Sequence, residues 1–95
     1  MKISGRVRII NYPGDYARIQ DQEIIIVRNT NPDIVLYVNK ISAIVAEVGS
    51  PLAHAAIIAR EYRKPLILGA AGARRKFKNG QIITIDTARK TICSA

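Results

Sequence analysis

The residue best suited to chemistry is the single histidine of the segment Gly49–Arg60, GSPLAHAAIIAR. Ser50 is a good helix N-cap, and Pro51 suits the first helical position, where its missing N–H costs nothing. On that reading a helix runs over Leu52–Arg63 and His54 closes its first turn. Unpaired N–H groups and the positive end of the helix dipole gather there and favour an anion. The same field disfavours a protonated imidazole and leaves a neutral ring able to attack phosphorus. The small Ala53 and Ala55 leave room beside it for a bulky phosphoryl donor.

Spacing alone also admits a plainer role. A lone histidine in an Ala/Ile-rich helix reads first as a hydrogen-bonded packing residue, and Gly49 and Ser50 are ordinary helix-start residues. Composition narrows the alternatives. One His and one Cys cannot assemble a zinc cluster of familiar spacing. They also leave no evident nucleophile–base pair for a hydrolase. No G-x-x-x-x-G-K-[ST] loop is present, so a complete nucleotide-dependent enzyme is not expected. The formal charge of +8 raises nucleic-acid binding as a third reading, with Arg74, Arg75, Lys76 and Lys78 as its densest cluster. A solvated basic face, or one that meets an acidic partner, explains that charge as well, so nucleic acid is not favoured.

These residues need a scaffold. Ninety-five residues, nearly half apolar, suffice for one domain with a single core, expected over 1–95. No apolar run approaches a bilayer span, no secretory leader is evident, and Cys93 has no partner for an internal disulfide. A cytoplasmic protein without membrane contact is therefore expected. Gly5–Ile10 alternates Arg with aliphatics as a half-buried strand, and Asn11–Asp15 is a turn by composition. Glu23–Val27 reads as a buried strand, Thr30–Asp33 as a break and Asp33–Val38 as a short helix. Ser42–Ala46 is a further strand, closed by Gly49. In the helix, Leu52, Ala55, Ala56, Ala59 and Tyr62 mark the packing face, and Pro65 stops it. Leu66–Leu68, Gln81–Asp86 and Thr91–Cys93 complete the strands, with an Asn79-Gly80 turn before the second of them. Strands outnumber helices and the most regular helix lies between two strands, so the class is α/β, of mixed α+β type.

Gly49–Glu61 closely resembles the phosphohistidine motif of the mobile, or swivelling, domain of phosphoenolpyruvate-utilising enzymes. That family includes phosphoenolpyruvate synthase, pyruvate phosphate dikinase and the first enzyme of the sugar phosphotransferase system. Its pattern runs Gly-Gly, two variable residues, Ser/Thr/Cys, His, Ala, Ala, two aliphatics, Ala, Arg. The flanks are similar too. Ile24–Val27 with Thr30 and Pro32 resembles the strand and Thr-x-Pro element upstream. Lys64–Gly69 resembles the Pro-aliphatic-Gly strand after the helix, and Asn79–Asp86 the closing strand.

The resemblance implies the swivelling β/β/α fold, in which sheet layers pack with a helical layer. It further implies a phosphocarrier role for a phosphotransferase component, with His54 taking up and passing on a phosphoryl group. Gly49, Ser50, Leu52 and Ala53 are then the residues around that phosphate. No cofactor is expected on the domain itself. ATP or phosphoenolpyruvate, with Mg²⁺, belongs to separate ATP-binding or phosphoenolpyruvate/pyruvate-barrel subunits. Departures from the pattern are clear. Ser50 replaces the second Gly, Ala53 the hydroxyl or thiol residue, and Leu52 stands where dikinases carry a regulatory Thr. These departures motivate an alternative, a non-catalytic binding or regulatory module that retains the fold.

Overall fold

A nine-residue first strand organises the molecule. The computed structural model describes residues 1–94, so Ala95, the last residue of the expected 1–95 unit, lies outside the described residues. Strand β1 (Lys2–Ile10) serves two neighbours in succession. Its first half, Lys2–Arg6, pairs antiparallel with β5 (Ile82–Asp86). Its second half, Val7–Ile10, pairs parallel with β2 (Glu23–Val27). Gly5 sits just before this handover, and a Cβ there would lie 3.2 Å from Ile24 Cγ1 and 3.4 Å from the Gln22 carbonyl. A bare backbone lets the chain cross that close to β2.

The sheet continues outward on both sides. Beyond β2 come β3 (Ile41–Ala46) and the two-residue β4 (Leu66–Ile67), both parallel. Beyond β5 lies β6 (Thr91–Ser94), antiparallel, giving the order β4-β3-β2-β1-β5-β6. The β5–β6 connection is closed by Asp86 Oδ1, which accepts from the Ala88 and Arg89 N–H groups at 3.0 and 3.2 Å.

Two cores show why the sheet divides into layers. All five residues of β2 are buried, so this strand needs cover on both faces, as parallel strands do. Ile24 and Ile26 face a core shared with Val7, Val45, Ile83 and Ile85, formed between the parallel and antiparallel parts of the sheet. Ile25 and Val27 face a second core with Ile34, Ile44, Ile58 and Ala59, on the helical side. The layers are thus β, β and helix, as the resemblance implies. A register shift in the β2–β3 pairing skips Ser42, so Ile41 and Ile44, three residues apart, reach the same core. A bulge does this by breaking the two-residue alternation. The displaced Ser42 hydroxyl is buried without a hydrogen-bond partner.

The helical side differs from the sequence expectations in instructive ways. Helix α1 spans His54–Glu61, shorter than the expected Leu52–Arg63. Ser50 does not cap it: Ser50 Oγ accepts from the Leu52 N–H at 3.1 Å and its carbonyl from the Ala53 N–H at 3.1 Å. Ser50 and Pro51 therefore build a turn of their own ahead of the helix, because the serine bonds locally instead of reaching forward. Leu52 consequently lies 82% exposed instead of on the packing face, while Ile58 takes up an inward position. The expected helix over Asp33–Val38 is two 3-10 turns, Pro32–Leu36 and Val38–Lys40, consistent with its β-branched content. Another 3-10 turn, Pro13–Arg18, follows β1, and its buried Tyr16 stacks on Tyr37 with ring centroids 6.3 Å apart. A four-residue helix α2 (Ala73–Lys76) carries most of the basic cluster. Gly72, at φ +74°, turns the chain into it.

Two ion pairs brace the ends of the strands. Arg8 is not a solvated member of an alternating strand; its guanidinium binds Glu23 through two bonds of 3.0 and 3.3 Å. The Gln20 N–H adds a third bond to that buried carboxylate at 2.7 Å. Arg74 gives its backbone N–H and its Nε to the two Glu47 oxygens, both at 2.9 Å, and reaches Asn11 Oδ1 at 3.3 Å. Helix α2 is thereby tied to the ends of β3 and β1, and one member of the basic cluster is neutralised internally. Among the described residues, no helix is long and apolar enough to cross a membrane.

Two stability measurements follow from this geometry. Helix α1 ends in a paired arrangement, with Lys64 N–H bonding to the Ala59 carbonyl at 2.8 Å and Arg63 N–H to the Arg60 carbonyl at 3.4 Å. Arg63 must adopt φ +54° to allow it, a conformation glycine occupies without steric cost. Arg63→Gly is expected to stabilise the protein by about 1 kcal/mol in urea denaturation, since only the αL penalty is removed. Glu47 is the second case. Partial burial pushes its carboxyl up, but the Arg74 N–H and guanidinium, with the charges of Arg74 and Arg75, outweigh that and hold it below the ordinary value of 4.5. A folded-state value below the unfolded one contributes stability at neutral pH that disappears as the pH falls through it. Acidification below pH 4.5 is therefore expected to destabilise the wild type more than Glu47→Gln, measured by denaturation across that range.

Candidate functional site

The site begins at the carboxyl end of β2, where the chain leaves the core as Arg28-Asn29-Thr30. Burial of β2 on both faces fixes where this segment emerges. The Asn31 carboxamide oxygen accepts from the Asp33 N–H at 2.9 Å, and Pro32 opens the next 3-10 turn. The preceding Thr30 is held inward, 6% exposed. Its hydroxyl meets His54 Nδ1 at 2.7 Å, a short contact joining residues 24 positions apart.

His54 itself is the first residue of α1, not the last of its first turn as expected. Its ring is part-exposed, with the buried Ala55 and Ala56 behind it. Ala53 occupies the N-cap position and makes no side-chain cap bond. The Ala53 carbonyl accepts from the Ala56 and Ile57 N–H groups at 3.0 and 3.2 Å. The Ala55 N–H goes instead to Asn29 Oδ1 at 3.1 Å, and the same oxygen accepts from the Thr30 N–H at 2.9 Å. At the other flank, the Arg60 guanidinium reaches the Pro51 carbonyl at 3.3 Å.

The arrangement has a definite chemical capacity. Thr30 engages Nδ1, and in the tautomer with the proton on that nitrogen the Nε2 lone pair is available. The dipole of an eight-residue helix points its positive end at this ring. A ring nitrogen free of the Thr30 contact, next to a helix start that favours anions, suits transfer of an anionic group.

The residues expected around a phosphate divide in two. Gly49, Ser50 and Leu52 are exposed in the turn before the helix, and Ala53 is the N-cap residue directly before His54. The Leu52 and Ala53 N–H groups are already spent on Ser50. Asn29 and Thr30 are the contributors that residue spacing missed. Thr30 was visible only as part of a Thr-x-Pro element after a strand, and Asn29 gave no signal, because its partners lie across the fold. The surface cleft nearest to these residues, about 210 Å³, is lined in part by Asn11, Tyr12, Arg28, Asn29 and Arg74 and does not include His54. No group of three or more His, Cys, Asp or Glu among the described residues is placed to hold a metal ion.

The family model described as PEP-utilising enzyme, mobile domain, matches residues 19–90. A phosphoenolpyruvate synthase of Aeropyrum pernix is 36% identical over 94% of the chain and 11% of its own length. A protein named pyruvate kinase 2 from Synechocystis is 37% identical over 97% of the chain and 16% of its own length. The chain thus spans only about a tenth to a sixth of the curated relatives it matches. Among solved structures, the solution structure of an Enzyme I protein superposes with a TM-score of 0.67 at 18% identity. It covers 83% of this chain and 33% of that one, a likeness of fold. Matched over most of its length by the family model, the chain belongs to the mobile-domain family of PEP-utilising enzymes.

Proposed function

We propose that this chain is a phosphoryl carrier and that His54 is the residue that accepts and donates the group. The supporting observation is the 2.7 Å contact between Thr30 Oγ1 and His54 Nδ1 at the start of α1. With Nδ1–H donating to Thr30, the Nε2 lone pair attacks phosphorus. An N–P bond forms as the P–O bond to the donor breaks, and the departing oxygen keeps the electron pair. The ring then carries a positive charge, and its Nδ1–H stays hydrogen-bonded to Thr30 Oγ1. Attack by an acceptor oxygen on the same phosphorus breaks the N–P bond and returns the neutral imidazole. The helix dipole favours the phosphoryl anion throughout. Gly49, Ser50 and Leu52, with the partly buried Ala53, form the approach to the ring, and the exposed Leu52 offers the donor protein an apolar contact.

A carrier needs a donor and an acceptor. By the family reading these are an ATP-binding module and a phosphoenolpyruvate/pyruvate barrel, which hold ATP or phosphoenolpyruvate and Mg²⁺, in the cytoplasm. Whether such modules are covalently joined to this chain or separate, the chemistry assigned to His54 is the same. Ser50 and Ala53, where the family pattern has glycine and a hydroxyl or thiol residue, favour one competing reading, a binding module that keeps the fold without the transfer.

The two readings part in a direct test. The chain is incubated with ATP or phosphoenolpyruvate and the matching enzyme modules, then analysed by mass spectrometry under alkaline conditions that preserve phosphohistidine. The carrier reading expects label on His54 and none in His54→Ala. Thr30→Val is expected to slow labelling about ten- to a hundredfold, because hydrogen bonds to charged groups contribute roughly 1.5–3 kcal/mol. Equal labelling of wild type and His54→Ala, or none in the wild type with active partners, rejects the carrier.

A further inference from the structure

We propose that Asn29 is the positioning residue of this site, capping α1 from outside the helix in place of Ala53. The inference rests on the reading of His54 as the acceptor and adds the residue that aims it.

Helix N-caps are commonly Ser, Thr, Asp or Asn, whose side-chain oxygen takes the N–H of the second or third helical residue. Ala53 has no such atom. The second helical residue here is Ala55, and its N–H is taken at 3.1 Å by Asn29 Oδ1, 26 positions earlier in the chain. That oxygen also takes the Thr30 N–H at 2.9 Å. Both partners are donors, so the atom facing them must be the carboxamide oxygen and not its nitrogen.

The position of these two amides gives the bond its consequence. Thr30 follows Asn29 directly, and His54 directly precedes Ala55. One oxygen therefore holds together the two backbone segments whose side chains meet at Thr30 Oγ1 and His54 Nδ1. The contact between those side chains depends on the spacing of their backbones, which the shared acceptor sets. A cap on the residue directly before His54, as in Ala53→Ser, would satisfy Ala55 without clamping Thr30. A neutral amide does both without placing a negative charge where a phosphoryl group must arrive. Asp at position 29 would keep the cap and add that charge.

The experiment uses the 95-residue chain with Asn29→Ala, Asn29→Asp and the double variant Asn29→Ala/Ala53→Ser. Amide hydrogen exchange reads the cap, imidazole ¹⁵N shifts read the share of His54 with its proton on Nδ1, and the labelling assay reads transfer. Asn29→Ala is expected to speed Ala55 exchange about fivefold, the equivalent of the roughly 1 kcal/mol typical of a lost cap. It should also lower the Nδ1–H share and slow labelling, while strand amides keep wild-type protection. Asn29→Asp should retain Ala55 protection but still slow labelling. The double variant should recover Ala55 protection while the ¹⁵N signature and labelling rate recover only in part. Wild-type exchange and ¹⁵N shifts in Asn29→Ala, or loss of Ala55 protection in Asn29→Asp, overturn the inference. Because exchange and ring shifts need no phosphoryl donor, they decide the role of Asn29 even if the wild type is never labelled, an outcome that counts against the carrier reading alone.

Discussion

Strand β2 is covered on both faces, and the rest of the molecule is arranged to keep it so. Its five residues divide alternately between two cores, with Ile24 and Ile26 facing the antiparallel arm and Ile25 and Val27 facing the helices. A strand in that position cannot slip by one residue without driving every side chain into the wrong core. Its end is therefore located as firmly as its middle, and the three residues that follow emerge at a defined point. The Thr30 hydroxyl meets the His54 ring because of that placement.

The antiparallel arm exists to provide the second cover. By pairing first with β5 and then with β2, β1 carries the chain from one layer to the other without a separate connection. The requirement falls on Gly5, where a side chain would press on Ile24. The bulge at Ser42 solves a related problem on β3, bringing Ile41 and Ile44 to one face and leaving the Ser42 hydroxyl without a partner. The unpaired hydroxyl costs roughly 1–3 kcal/mol, which burial of two isoleucines, each stabilising by roughly 1.5–3 kcal/mol, offsets.

Charge follows the same logic of placement. Of the formal excess of +8, Arg8 and Arg74 are committed to internal carboxylates. The densest basic cluster thus contains a structural brace as well as surface residues. Its reading as a nucleic-acid contact weakens when Arg74 is found tying α2 to Glu47 and Asn11.

Local chemistry made much of this protein legible in its sequence. The aliphatic run Glu23–Val27, the strand at Gln81–Asp86 and the Ala-rich helix follow from side-chain pattern, because burial and backbone preference act over a few neighbouring residues. The histidine and its family motif are likewise written in one continuous stretch. The helix start was not legible. Ser50 and Pro51 have the chemistry of a cap, but the competing bond from Ser50 Oγ to the Leu52 N–H is also local, and tertiary packing decided between them. Nor could Asn29 or Thr30 be paired with the histidine, since 26 and 24 positions separate the bonded groups. Sequence alone determined which imidazole is presented and on what kind of element; the folded sheet decided which nitrogen is held and by what. The reason is physical: propensity and patterning are summed along the chain, whereas a hydrogen bond between distant residues forms only after two cores have set their separation.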